Sequence, residues 1–550
     1  MSSVPNRGEV RRPAPSERTM RSVLQQNSVG EPLRHRPRQL TATTKTGILG
    51  TELRRHPPGK PPAMNSATTP TATRTNRTFL GGLLRAVAVG LTLTSLTGGR
   101  CLADDRPNLI VIMVDDMGYA GVSCFGNPYF KTPEIDRLAA EGMRFTDFHS
   151  SGTVCSPTRA GLLTGRYQQS AGIEAVIHPV ATHPEHRKGL KPVENTFAEL
   201  LKTAGYTTGL IGKWHQGYPH NTPDYHPQNH GFDEFVGYHS GNIDFISHVG
   251  DHVKHDWWHG RTETHEEGYT SHLINRYSLE FIRRHHKKPF CLYVAHEAIH
   301  NPVQVPGDPV RRSEAEGWKR WKPADEAQRI EKYKGMTLPI DEGVGQIRRL
   351  LRELNLDRKT FVIFFSDNGP SRDFPSGSPT LRGAKGSVYE GGHRVPAIVW
   401  WPGKVKAGSS TTTPAISLDV MPTLLSLAGV AEPQGRPLDG VDLSGLFLKQ
   451  QPLPERPFYW ASLSNNGNRS EAMRQGPWKL VVLHPKAKPG TFENERVELY
   501  RLDNDLAERN NLAARHPERT ASMLAQLKAW FAQTQKNATP QPGGWLARGE

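Results

Sequence analysis

Residues 108–116 read "NLIVIMVDD": six apolar residues, Leu109–Val114, run without interruption into two aspartates. An unbroken apolar run rich in β-branched residues suits a strand buried on both faces, as in a parallel sheet covered by helices. Working outward, "TTGLIGKW" (207–214), "PFCLYVAHEA" (289–298), "TFVIFFSDNG" (360–369) and "VPAIVWWPG" (395–403) share its texture. Between them, "TPEIDRLAAEGM" (132–143), "NTFAELLKTAGY" (195–206) and "LPIDEGVGQIRRLLRELNL" (338–356) are amphipathic. Thr132 and Asn195 are the expected N-caps, and a glycine closes each of the first two helices. The alternation predicts an α/β fold, a mostly parallel sheet flanked by helices. From about 430 to 455 the sequence turns rich in Pro, Gly and Asp. The segments "RPFYWAS", "PWKLVVLH" and "VELYRLD" then predict a smaller C-terminal antiparallel sheet, followed by a helix over about 517–533.

At 550 residues the chain is long enough for two cores. Its net charge of +15 is unevenly spread: residues 1–103 hold 16 Lys/Arg against 4 Asp/Glu, so +12 lies there and residues 104–550 carry +3. No basic groove, and hence no nucleic-acid partner, is indicated for the folded part. Residues 1–73 are rich in Pro, Thr, Ser and Arg; they read as disordered, or as an upstream extension that a start at Met64 would exclude. In residues 74–103, Arg74, Arg77 and Arg85 precede an apolar stretch of about a dozen residues, and Cys101-Leu102-Ala103 supplies small residues for cleavage. This is the pattern of a secretory signal, too short for a stable membrane anchor. The expected organisation is therefore a signal peptide over 74–103, an α/β domain over 104–430 and an α+β subdomain over 431–550. Export places the protein in the periplasm or outside the cell.

Two of the strands end alike, in Asp115-Asp116 and in Asp367-Asn368. Ligands of open parallel sheets bind beyond the carboxyl ends of the strands. Two such pairs brought together would repel unless a cation lay between them, and oxygen-only ligands favour Ca²⁺ or Mg²⁺ over zinc. The simpler alternative for either pair alone is a turn or helix cap. Cleavage after Ala103 would leave Cys124, Cys155 and Cys291, an odd number. Cys291 sits in an apolar strand as a small hydrophobe, and whether Cys124 pairs with it stays open. Cys155 differs, because it opens "CSPTRAGLLTGRY", close to a proline and four residues before Arg159.

Together, "VDDMGY", "CSPTRAGLLTGRY", "GKWHQG", "HGFDEFVGY", "AIHNP", "FSDNGP" and "LRGAKGSVYEGGHRVPAIVWWPG" resemble, in the same order, the formylglycine-dependent sulfatase family, and "GYHSGNIDFISH", "EEGYTSHLINRYSLEFI" and "HNPVQVP" look most like its arylsulfatase A/B branch. The resemblance covers almost all of residues 106–535 and implies the alkaline-phosphatase-like fold. It implies that a separate maturation enzyme oxidises Cys155 to Cα-formylglycine before folding, reading Pro157 and Arg159. The aldehyde hydrate would then attack the sulfur of a sulfate ester, with a metal held by Asp115, Asp116, Asp367, Asn368 and the matured residue 155. By the same resemblance, Arg159 and Lys213 hold the hydrate, and His215 accepts its proton when sulfate is expelled. His300 protonates the leaving alcohol and Lys385 binds the sulfate oxygens. Gln216 and His393 depart from the family pattern, and His393 is expected in a pocket wall. The substrate class is a sulfated small molecule or glycan. The segment "HVGDHVKHDWWHGRTETH" (248–265) could line a glycan subsite through Trp257 and Trp258 or be a solvated loop, and it lacks convincing zinc-ligand spacing. The rival readings are a phosphodiesterase or phosphonate monoester hydrolase on the same scaffold, or a glycan-binding protein without turnover.

Overall fold

The computed structural model describes residues 105–543, apart from 373, 375–379, 465–467 and 485–494. The readings of the N-terminal extension, the Met64 start and the signal peptide lie outside the described residues. Among the described residues, no helix is long and apolar enough to cross a membrane. Seven strands form the body of the larger sheet: β1 (Asn108–Val114), β2 (Met143–His149), β3 (Thr207–Lys213), β4 (Glu234–Tyr238), β5 (Phe290–Ala295), β6 (Thr360–Ser366) and β7 (Arg394–Trp400). Their order is β2-β7-β6-β1-β5-β3-β4, with short strands extending both edges. β1 pairs in parallel with β5 and β6, and β3 in parallel with β4 and β5; β7 runs antiparallel to both its neighbours. The sheet is thus mostly parallel, as expected.

The apolar run of β1 suits its place at the centre. Leu109, Val111 and Met113 enter the core on one face, and Ile110, Ile112 and Val114 the core on the other. Each of these side chains stabilises the fold by about 1.5–3 kcal/mol through burial. Helices α2 (Cys155–Thr164) and α3 (Phe197–Thr203) contribute to the first core. Helices α1 (Pro133–Glu141), α4 (Thr270–His285) and α5 (Glu326–Glu353) contribute to the second. Helix α5 begins well before the amphipathic stretch that announces it and passes through Pro339. β2 has too many polar residues, and β4 is too short, to stand out in the sequence.

The smaller sheet has four antiparallel strands, Phe458–Leu463, Arg469–Gln475, Trp478–His484 and Arg496–Arg501, in that order. Its second strand, "RSEAMRQ", has no strand signal in the sequence, because its charged residues Arg469, Glu471 and Arg474 pair inside the protein. On one face Leu480, Val482 and Leu499 pack against Met523 and Leu527 of helix α6 (Pro517–Lys536). On the other, Trp460, Ala472 and Val481 join Tyr167, Val388, Ile416 and Leu418. Cys124, Cys155 and Cys291 are all free thiols, so Cys124 and Cys291 do not pair.

The caps differ from the expected ones. Thr196, not Asn195, caps α3, in a reciprocal capping box with Glu199. Thr132 makes no side-chain cap; its hydroxyl accepts from the Ser123 N–H at 3.0 Å. Instead Asp341 of α5 reaches across, accepting from the N–H groups of Ile135 at 2.8 Å and Glu134 at 3.1 Å. A carboxylate from another helix satisfies the first turn of α1 and ties the two together. Asp341→Ala should therefore lose about 1–2 kcal/mol of stability, read as a lower urea midpoint at unchanged slope. An unchanged midpoint would mean the cap is redundant.

Candidate active site

Beyond Val114 and Ser366 the pairing of β1 with β6 continues, with the Asp367 N–H donating to the Val114 carbonyl at 3.0 Å. This sets Asp115-Asp116 and Asp367-Asn368 side by side. The Asp116 N–H donates to Asp367 Oδ1 at 3.2 Å, and Asn368 Nδ2 donates to Asp116 Oδ1 at 2.8 Å. All four side chains are buried. Asp116 holds a left-handed backbone, φ 59°, a strained conformation of the kind that clusters at functional sites.

The cations arrive from three elements. Arg159 projects from α2, and its Nη2 bridges Asp367 at 2.9 Å and Asp115 at 3.3 Å. Its Nη1 donates to the Lys213 carbonyl at 3.2 Å and to the Tyr293 hydroxyl at 3.4 Å. Lys213, the last residue of β3, pairs with Asp115 through a buried ammonium. Its placement depends on Gly212 (φ 114°), where a Cβ would sit 2.0 Å from the Ala295 carbonyl of the next strand. Lys385 reaches in from the loop before β7 to Asp116 Oδ1 at 2.6 Å. Burial alone would strip protons from Lys213 and Lys385, but Asp115 and Asp116 respectively reverse this and hold both charged.

The two histidines differ in their pairing. His215 Nε2 lies 3.2 Å from the Ile177 carbonyl, so it carries the proton, and buried Nδ1 is left without a partner. Burial and the Lys213 charge keep the ring neutral. The strand ends bring in His300: Asp115 N–H donates to the Ala298 carbonyl at 3.1 Å, and Ile299 N–H returns to the Asp115 carbonyl at 2.8 Å. His300 Nδ1 lies 2.8 Å from the Asn301 carbonyl and Nε2 3.8 Å from Asp116 Oδ2. Nδ1 is thus the protonated nitrogen. Burial, reinforced by Lys385, pushes His300 down to about 3.

Cys155 is the first residue of α2, a helix with every residue buried. Its thiol feels the charges of Lys213, Lys385, Asp115 and Asp367, and burial raises its pKa despite the two lysines. The unmodified thiol is therefore a poor nucleophile at neutral pH. Gln216, one of the departures noted in the sequence, supports this helix by donating to the Ser156 carbonyl at 2.9 Å.

The acidic group fits a hard cation. Asp115 Oδ1 and Asn368 Oδ1 are buried oxygens with no hydrogen-bond partner, and Asp115, Asp116 and His300 present ligand atoms within 4.8 Å of one another. Burial and the Asp115 charge push Asp367 well above the usual carboxylate range. Such crowding of carboxylates is relieved by a cation that takes oxygen ligands. The structure thus brings together Asp115, Asp116, Asp367, Asn368, Arg159, Lys213, Lys385 and His300, with Cys155 among their charges. Tyr293, which steadies Arg159, escapes sequence reasoning, because in the apolar run of β5 it reads as core. Two sequence expectations change. His393 is fully buried with its ring stacked on Trp460, and Trp257 is fully buried against His248. Trp258 remains beside a cavity of about 230 Å³ with Tyr218, His226, His239 and Arg261.

Comparison with known proteins identifies the family. The family described as Sulfatase matches residues 107–430, and that described as N-sulphoglucosamine sulphohydrolase, C-terminal, matches residues 384–537. The N-acetylgalactosamine-6-sulfatase of Mus musculus is 36% identical over 403 residues, covering 68% of this chain and 72% of that protein. Arylsulfatase A of Homo sapiens is 31% identical over 519 residues, 85% of this chain and 94% of that one. Among solved structures, Ps i-CgsB in complex with k-i-k-neocarrahexaose aligns with a TM-score of 0.68 at 28% identity, covering 78% of this chain and 94% of its own. With the family matched across residues 107–430 and relatives above 30% identity over most of the chain, the protein belongs to the sulfatase family and is a sulfuric ester hydrolase.

Proposed function

We propose that the chain, exported through residues 74–103, hydrolyses a sulfate ester of a carbohydrate using Cα-formylglycine made from Cys155. Its cation is Ca²⁺, or Mg²⁺ in its place, held by Asp115, Asp116, Asp367 and Asn368 together with the matured residue 155. The observation that carries this reading is the convergence of the unpartnered oxygens Asp115 Oδ1 and Asn368 Oδ1 with Arg159, Lys213 and Lys385 around Cys155. The cation would supply the field, and the aldehyde hydrate the nucleophilic oxygen, that attack on sulfur needs.

The chain's own residues then have distinct tasks. Arg159 and Lys213, immobilised by buried carboxylates, orient the matured side chain. Lys385, partly open to solvent, binds the sulfate oxygens and neutralises charge as the S–O bond breaks. His215 has a free lone pair at Nδ1 and takes the hydrate proton when sulfate is expelled. His300 protonates the leaving alcohol from Nε2; since Nδ1 already holds the resting proton, Nε2 takes one up as the sulfate brings its negative charge. The carbohydrate assignment draws on the similarity to an N-acetylgalactosamine-6-sulfatase and to the neocarrahexaose complex. Trp258 and the histidine-lined cavity offer a surface for a sugar ring.

Maturation must precede folding, because Cys155, Pro157 and Arg159 are buried once α2 is in place. The maturation enzyme therefore reads an unfolded segment. Mass spectrometry of active protein should show an aldehyde at residue 155, and Cys155→Ala should fold yet lose all turnover. Adding the maturation enzyme to folded, unmatured protein should restore nothing. Full turnover in Cys155→Ala would sink the mechanism.

For the cation, Asn368→Ala is a cleaner probe than a change at Asp115, which also balances Arg159 and Lys213. Chelation should abolish turnover and Ca²⁺ restore it, with Asn368→Ala needing at least about tenfold more Ca²⁺ for half-recovery. Activity that survives proven metal removal would refute the site. The leaving-group role of His300 predicts an uneven loss: His300→Ala should slow a sulfated sugar far more than nitrophenyl sulfate, whose phenolate leaves without a proton. Equal losses would reassign His300 to sulfate binding. Nitrophenyl phosphate and phosphonate esters run alongside should be poorer substrates than the sulfate.

A further inference from the structure

Beneath the active-site loops, where the two sheets meet, lies a fully buried pair of imidazoles that the reaction does not use. His149 ends β2, and His393 closes the turn before β7. Their Nδ1 atoms face each other at 3.0 Å. His149 Nε2 lies 2.9 Å from Asp147 Oδ1 and 3.0 Å from Arg474 Nη1. His393 Nε2 lies 3.0 Å from Lys479 Nζ and 3.2 Å from the Val388 carbonyl, and its ring stacks on Trp460 at 4.0 Å. Around them, Arg474 grips Asp147 with two hydrogen bonds of 2.7 and 2.8 Å. Arg394 reaches both Asp147 and Glu390, and Lys479 pairs with Glu390 and Glu508 at 2.9 Å each. His149, Glu390 and His393 have the composition of a metal site. The Lys479 ammonium, however, already contacts Glu390 and His393 and supplies the positive charge there.

Two imidazole nitrogens 3.0 Å apart hold one proton between them, which orders the whole chain in one of two senses. In the first, Lys479 donates to His393 Nε2, His393 Nδ1–H to His149 Nδ1, and His149 Nε2–H to Asp147. In the second, Arg474 donates to His149 Nε2, His149 Nδ1–H to His393 Nδ1, and His393 Nε2–H to the Val388 carbonyl. Both rings are neutral in either sense, and burial favours that state.

The pair sits under both catalytic loops. Ser150 N–H donates to the His393 carbonyl at 2.8 Å, and Trp460 Nε1 donates to the Ser150 carbonyl at 2.9 Å, which fixes the start of the segment leading to Cys155. On the other side, Gly391 N–H donates to the Arg382 carbonyl at 2.7 Å and Gly369 N–H to the Gly392 carbonyl at 2.9 Å. These bonds hold the loop of Lys385 and the residue after Asn368 against the same turn. We propose that the His149–His393 pair is a positioning element for catalysis: its shared proton ties the end of β2 to the turn before β7 and so sets the loops carrying Cys155 and Lys385.

The test uses the full chain and separates the two ring nitrogens of His393. His393→Asn places an amide where Nδ1 stood, facing His149; His393→Gln places it where Nε2 stood, facing Lys479. Both keep a polar group in the cavity. At equal folded fraction, and with residue 155 processed to the same extent by mass spectrometry, His393→Asn should keep kcat for nitrophenyl sulfate within about threefold of wild type. His393→Gln and His393→Ala should each lose about tenfold or more, in line with a small displacement of reacting groups. A far-downfield imidazole proton in the wild-type NMR spectrum should vanish in both His393→Ala and His149→Ala. Equal kcat for the Asn and Gln variants, or wild-type kcat in His393→Ala, would overturn the proposal. If His393→Ala does not fold, the Asn and Gln pair still decides it.

Discussion

Asp115 and Asp367 lie side by side at the carboxyl end of the sheet, fully buried, and a single guanidinium nitrogen of Arg159 touches both. Charges removed from water are tolerated only when paired and hydrogen-bonded. The surrounding architecture follows from that requirement. β1 and β6 must be neighbours to bring the carboxylates together. Helix α2 must enter the interior to deliver Arg159, and in doing so it carries Cys155 to the same place. β3 must end there to supply Lys213. The fold and the chemistry therefore share one set of ion pairs.

The balance of charge also bears on the role proposed for the site. Three carboxylates, Asp115, Asp116 and Asp367, face three cations, Arg159, Lys213 and Lys385. Near-neutrality suits a buried site, but the unpartnered oxygens of Asp115 and Asn368 leave coordination capacity unused. A divalent cation bound there would make the site net positive, as the proposed binding of a sulfate requires. Similar physics joins the smaller sheet to the larger one: it contributes Arg474 and Lys479 to buried pairs with Asp147 and Glu390. That sheet is thereby a structural neighbour of the loops carrying Cys155 and Lys385.

Elements buried on both faces are legible in the sequence, since an uninterrupted apolar run leaves little choice of environment. β1, β3, β5, β6 and β7 all lie where their runs stand. β2 and the strand Arg469–Gln475 are not legible, because they carry charged residues that become buried, and Asp147 of the one and Arg474 of the other satisfy each other from far apart in the chain. Asn195 and Thr132 look like caps by their residue type. A neighbouring threonine and a carboxylate from α5 have better geometry. Trp257 and His393 look accessible in the sequence for the same reason: a polar or aromatic residue in a loop carries no local sign of what will cover it.

The sequence by itself determined the sheet's central strands, the acidic residues at their ends and the Cys155 motif. Each of these is a local pattern that can be read without knowing its distant partners. Only the tertiary structure decided that Arg159 bridges Asp115 and Asp367, that His215 keeps a free Nδ1 while the His300 Nδ1–H donates to the Asn301 carbonyl, and that His393 meets His149. Protonation, tautomer and coordination depend on which groups approach within about 3 Å. That proximity arises from packing between residues remote in sequence, and no local pattern encodes it.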